Sequence, residues 1–147
     1  MIIKQEEMKI KILPTGKMPE FKNGDWIDCY TRFDYNLKFM ENCPLRLGFT
    51  AELPHGYEAI VAARSSLTKN FGVMSINGIG IIDENYCGDS DEWLLPVICI
   101  NPKGTTIPAG SRVAQFRIIK HQPFIIFNIV DKMNNKNRGG YGSTGIK

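Results

Sequence analysis

Turn-forming residues interrupt this chain too often for any long helix to form. Pro44, Pro54-His-Gly56, Asn101-Pro102, Pro108-Ala-Gly110 and Gln122-Pro123 each mark a connection. Between them lie short runs rich in Ile, Val and aromatics. Met8-Lys-Ile-Lys-Ile-Leu13 alternates apolar and basic residues, as a half-buried strand does. Leu45–Leu53, Tyr57–Ala63, Gly80–Asp83, Leu94–Ile100, Arg112–Ile119 and Phe124–Val130 read as further strands. The one candidate helix is a short piece near Ser65–Phe71. Many short strands with frequent turns predict an all-β sandwich or barrel with at most one short helix. At 147 residues the chain suits one domain with a sizeable core. The expected division is a barrel over residues 1–133 and a flexible C-terminal arm over 134–147.

Composition narrows the function classes. No run approaches the ~18 apolar residues of a membrane-spanning helix. The start, Met1-Ile-Ile-Lys-Gln-Glu-Glu7, lacks a basic-then-apolar signal pattern, so a cytoplasmic protein is expected. Cys29, Cys43, Cys87 and Cys99 have no C-x-x-C spacing and read as reduced thiols. With two histidines, His55 and His121, a His-based triad or a His-rich metal site has little support. The net charge of +3 suits a small polyanion better than duplex DNA.

Four segments could carry chemistry. Arg64-Ser-Ser-Leu-Thr68 follows a strand and sets an arginine and hydroxyls at the mouth of the short helix, an anion site or a simple N-cap. In Gly80-Ile-Ile-Asp-Glu-Asn-Tyr-Cys-Gly88 an apolar strand ends on Asp83, which could deprotonate a water, with Tyr86 three positions on as a flat surface for a sugar. Gly110-Ser-Arg-Val-Ala-Gln115 opens a strand with two phosphate donors, Arg112 and Gln115. Finally, Arg138-Gly-Gly-Tyr-Gly-Ser-Thr-Gly-Ile-Lys147 combines four glycines with a ring, hydroxyls and a cation. It is either a frayed terminus or a clasp over a nucleotide.

In this order the segments resemble the five motifs of the trimeric dUTPases, the dUTP nucleotidohydrolases. Motif two resembles Arg64-Ser-Ser66, motif three Asn77 through Gly88, motif four Gly110–Gln115 and motif five Gly139–Gly145. Motif one is degenerate as Asp25-Trp-Ile-Asp-Cys-Tyr30, where only Asp28 keeps its place. The Gly-Asp-Trp-Ile-Asp, Arg-Ser-Ser and Gly-Asp-x-Asp-x-Trp93 stretches are most similar to the Gram-positive bacterial and phage branch.

The resemblance implies a distorted jelly-roll β-barrel and a homotrimer whose active sites are shared between subunits. It implies Mg²⁺-assisted water attack on the α-phosphorus of dUTP, giving dUMP and pyrophosphate. This limits uracil incorporation into DNA and supplies dUMP for thymidylate synthesis. By the same resemblance Asp83 is the base, and Tyr86 packs on the deoxyribose. Asn77 and the backbone of Gly80 through Ile82 read uracil. Arg64, Ser65, Ser66 and Gln115 hold phosphates. In the tail, Tyr141 stacks on uracil beside Gly142, while Ser143 and Thr144 meet the γ-phosphate. The tail cation is Arg138 or Lys136. Asp28 would order waters around the metal, which is held mainly by substrate phosphates. Asp89-Ser-Asp-Glu-Trp93 resembles an insertion after motif three, with Trp93 expected either at the pocket rim or tucked into the barrel.

Three other readings stand beside this one. A dCTP deaminase also carries Arg-Ser-Ser-Leu, but its catalytic glutamate falls where this chain has Cys87. A phage-type dUTPase fold can also act as a regulatory module with a protein partner. A nucleic-acid-binding barrel lacks the expected broad basic stripe. Neither membrane association nor stable nucleic-acid binding is expected. The compartment is the host cytoplasm if the chain is phage-encoded.

Overall fold

The computed structural model describes residues 6–142 and 144–146. It has twelve strands and one helix: β1 (Lys11–Pro14), β2 (Glu20–Phe21), β3 (Ile27–Tyr30), β4 (Tyr35–Leu37), β5 (Asn42–Arg46), β6 (Phe49–Glu52), β7 (Tyr57–Ala63), α1 (Leu67–Phe71), β8 (Val73–Ser75), β9 (Ile79–Ile82), β10 (Leu94–Cys99), β11 (Thr105–Ile107) and β12 (Arg112–Lys120). They pair antiparallel into sheets of order β1-β6, β5-β10-β8, β11-β4 and β2-β3-β12-β7-β9. The fold is all-β and jelly-roll-like, as expected.

The core is closed by aromatic packing between sheets. Trp93 is fully buried, with its ring centroid 4.9 Å from Phe49 of β6 and 4.9 Å from Phe116 of β12. Phe49 and Phe116 are 6.0 Å apart. Trp93 therefore sits inside the barrel and not at a pocket rim. Around this trio pack Leu45, Leu47, Leu95, Val61, Val97 and Val113.

Two strand expectations are corrected. Leu45–Leu53 is not one strand, because Gly48 breaks it at φ +78° into β5 and β6, which join different sheets. A Cβ there would lie 3.1 Å from the Gly16 Cα, so both backbone shape and space favour glycine. The second correction is Phe124–Val130, which forms no strand. Its apolar, β-branched and aromatic composition is that of a strand, but nothing within the described chain pairs with it. Phe124, Ile126, Phe127 and Ile129 are 81–92% exposed. The last barrel strand ends at Lys120, and regular structure is absent from the described residues beyond it. Helix α1 is one turn long and stops at Gly72, whose φ of 62° ends the helix while its N–H donates to the Thr68 carbonyl.

Candidate active site

The sheet β2-β3-β12-β7-β9 and the segments flanking its strands carry the candidate residues outside the tail. Strand β9 is its edge, paired only with β7 through Ala59–Ile82, Ile60–Ile81, Val61–Gly80 and Ala62–Ile79. Its other side therefore presents unpaired backbone donors and acceptors. Against it opens a cavity of about 340 Å³ lined by Asn77, Gly80 through Asp83 and Tyr86, together with Glu92, Leu94 and Pro96. The structure thus gathers the expected base, the sugar platform and the base-reading segment in one place. A Cβ on Gly80 would stand 3.6 Å from Val61 and 3.7 Å from the Asn77 amide, which the chain itself tolerates.

The Asp83 turn is ordered by its own hydrogen bonds. Asp83 Oδ1 accepts from the Asn85 N–H at 2.8 Å, and its carbonyl accepts from the Tyr86 N–H at 3.0 Å. Asp83 Oδ2 makes no hydrogen bond among the described residues and is the oxygen left for a water. The Tyr86 hydroxyl donates to the Glu92 carbonyl at 3.0 Å, which fixes the ring. Glu92 is itself clamped: its buried carboxylate meets Arg32 at 2.9 Å, Arg46 at 3.8 Å and the Gly48 N–H at 3.1 Å. Sequence reading missed Glu92. The signal was an acid set directly before the apolar Trp93-Leu-Leu95 run.

A second group lies along the same sheet. The register shifts between Arg112 and Ala114 of β12, so a bulge is present. Residues three apart on a regular strand face opposite ways. The bulge instead brings Arg112, opposite Tyr30, and Gln115, opposite Asp28, to one face. There Asp28, 8% exposed, lies 3.2 Å from Arg112 and 3.8 Å from Arg64. The carboxylate thus holds two guanidiniums in place. This geometry lets Asp28 orient both arginines. Ser66 is the N-cap of α1, yet its side chain makes no capping bond. Simple capping is therefore not what its hydroxyl does.

The two groups are not brought together within one chain. None of Arg64, Ser65, Ser66, Arg112 and Gln115 lines the Asp83 cavity. Gln115 of β12 stands two strands from β9, roughly 10 Å at ordinary strand spacing. The tail residues Arg138, Tyr141, Gly142 and Thr144 are exposed, and Ser143 lies outside the described residues. All four cysteines are free thiols. Among the described residues there is no cluster of three His, Cys, Asp or Glu side chains able to hold a metal.

The chain belongs to the dUTPase family, whose model matches residues 27–145. It is 43% identical over 143 residues to the SPbeta prophage-derived deoxyuridine 5'-triphosphate nucleotidohydrolase YosS of Bacillus subtilis, covering 96% of this chain and 99% of that protein. It is 31% identical to the deoxyuridine 5'-triphosphate nucleotidohydrolase of Finegoldia magna, covering 94% and 99%. In fold it is similar to the Staphylococcus bacteriophage 80alpha dUTPase solved with dUpNHpp, with TM-score 0.76, 16% identity and coverage of 94% and 99%. The Streptococcus mutans dUTPase gives TM-score 0.70 at 16% identity, covering 81% and 98%.

Proposed function

We propose that this chain hydrolyses dUTP to dUMP and pyrophosphate, with Asp83 as the base. The observation that carries this reading is the cavity that sets Asp83 and Tyr86 beside the free edge of β9. The edge backbone from Gly80 to Ile82 reads the uracil, assisted by Asn77, and its close walls exclude a thymine methyl. Tyr86, held by Glu92, packs against the deoxyribose where a 2′-hydroxyl would need room. Asp83 Oδ2 takes the proton of the attacking water while Oδ1 stays bound to the turn. Arg64, Ser65, Ser66 and Gln115 receive the phosphates, with Asp28 orienting Arg64 and Arg112. Tyr141, Gly142, Ser143 and Thr144 close over the nucleotide, with Arg138 or Lys136 as the tail cation.

The donor set fits Mg²⁺ carried in on the substrate. No protein cage is present among the described residues, and this ion is commonly held by phosphates and waters. When bound it neutralises charge on the triphosphate. A structural Mg(II) ion is known in a variant of the related phage phi11 dUTPase. We assign a homotrimer with shared sites: one chain leaves the arginine face and the Asp83 cavity apart, which calls for a second copy, and three copies is what the family resemblance implies. Exposed Ile76, Ile79 and Ile81 near the cavity, and the exposed Phe124–Val130 run, supply apolar surface for neighbouring copies. The compartment that fits is the cytoplasm, the host's if the chain is phage-encoded. Product analysis over the deoxynucleoside triphosphates, with and without Mg²⁺, tests the reading. Selective dUMP and pyrophosphate release supports it, whereas ammonia release from dCTP would overturn it.

A further inference from the structure

We propose that Glu84 is a positioning residue that holds the Asp83 turn in reacting geometry, an inference that rests on Asp83 being the base. Asp83 stands at the end of an edge strand supported on one side only. The hydrogen bonds from Asn85 and Tyr86 shape its turn but do not tie it to the barrel at this end. Glu84 supplies that tie. Although it sits in an exposed turn, its side chain is 17% exposed. Its Oε2 accepts from the Gly56 N–H at 3.0 Å and lies 3.1 Å from His55 Nδ1, while its Oε1 lies 3.8 Å from His121 Nδ1. The chain's two histidines thus converge on one carboxylate. Gly56 is used twice, since its carbonyl also accepts the His121 N–H at 2.9 Å. The turn before β7, the end of β12 and the turn after β9 meet at this point. Other charged groups nearby are Glu58 of β7, which lines a cavity with Asp83 and His121, and Lys120, opposite Tyr57 in the register. The knot lies beside the base and is made of residues that none of the five motifs uses for substrate.

A positioning role predicts a loss in kcat with KM held, because the pocket walls remain while the base drifts. Misplacement by about 1 Å can cost on the order of 100-fold, and a loosened turn should lose roughly 10-fold. The test compares the full chain with Glu84→Ala, Glu84→Gln and Asp83→Asn, and with Glu84→Ala combined with Asp83→Asn, by steady-state kinetics and thermal unfolding. Expected are a roughly 10-fold lower kcat in Glu84→Ala and a KM within about twofold. Glu84→Gln, which still accepts from Gly56, should recover most of the rate. Glu84→Ala should change the residual rate of Asp83→Asn by less than about twofold, because Glu84 acts through Asp83. A wild-type kcat in Glu84→Ala, or an equal loss in the Asp83→Asn background, overturns the proposal. Should Glu84→Ala not fold, Glu84→Asp carries the same test: it keeps the charge but falls short of Gly56, and a wild-type kcat would again overturn it. Full activity in Asp83→Asn would instead overturn the base assignment beneath it.

Discussion

Trp93 offers the sharpest test of the packing, because two opposing terms can be separated there. Its side chain is fully buried between Phe49 and Phe116, yet its Nε1 is the one buried side-chain nitrogen or oxygen among the described residues without a hydrogen-bond partner. An unpaired buried donor costs about 1–3 kcal/mol. Trp93→Phe removes that donor, but also two ring carbons of apolar contact, worth about 1.6 kcal/mol at ~0.8 kcal/mol per carbon group. The terms nearly cancel, so Trp93→Phe should stay within about 1.5 kcal/mol of wild type. Trp93→Ala loses packing with nothing comparable in return, about 3–5 kcal/mol. At roughly 2–4 °C per kcal/mol for a chain of this size, Trp93→Ala should unfold about 6–20 °C lower. Trp93→Phe should shift by no more than about 6 °C. Calorimetry on nucleotide-free protein reads both midpoints. Equal losses for the two variants would refute the reasoning, since the indole N–H would then be satisfied in solution. The same burial predicts that fluorescence from Trp93, measured with Trp26→Phe, hardly changes when a non-hydrolysable dUTP analogue binds.

Truncation after Met133 should leave folding and assembly intact but remove most turnover, as judged by light scattering and pyrophosphate release; full activity would return the tail to the status of a frayed end. Gly80→Ala should keep the unfolding midpoint within about 3 °C, because the added methyl meets its own chain at ordinary contact distance, while nucleotide binding measured by calorimetry weakens at least about 10-fold. Burial pushes the Cys29 thiol far up, so brief alkylation at pH 8 should mark exposed Cys87 and spare Cys29 in peptide mass maps. Burial and the Glu20 carboxylate raise the Tyr30 hydroxyl from 10.0 to about 12. A raised pKa favours the folded state while the proton is bound, so this stability is complete below pH 10 and is lost as pH rises towards 12. Tyr30→Phe should flatten that part of an alkaline unfolding curve.

Local signals were legible in the sequence and long-range ones were not. Tyr57–Ala63 is β7 to the residue, because its apolar run is bounded on both sides by turn formers. Asn77, Gly80, Ile82, Asp83 and Tyr86 fall in one cavity because they share one strand and its flanking turns. Ile27–Tyr30 escaped notice as a strand because Asp28 breaks its apolar pattern. That charge is tolerated only because Arg64 and Arg112 arrive from distant segments. The shared face of Arg112 and Gln115 depends on a bulge that residue spacing does not announce. Phe124–Val130 shows the converse limit: composition declares that a segment can pair, but not whether a partner lies in the same chain.

The separation of the Asp83 cavity from the arginine face has a genetic consequence. If each working site draws these halves from different subunits, a defect in one half marks only the sites to which that subunit contributes it. A chain altered at Asp83 and another altered at Arg64, each inactive alone, would then rebuild an intact site wherever their sound halves meet. Mixed assemblies of two dead proteins would hydrolyse dUTP. Conversely, one defective copy expressed beside a normal one would spoil sites made largely of normal chains.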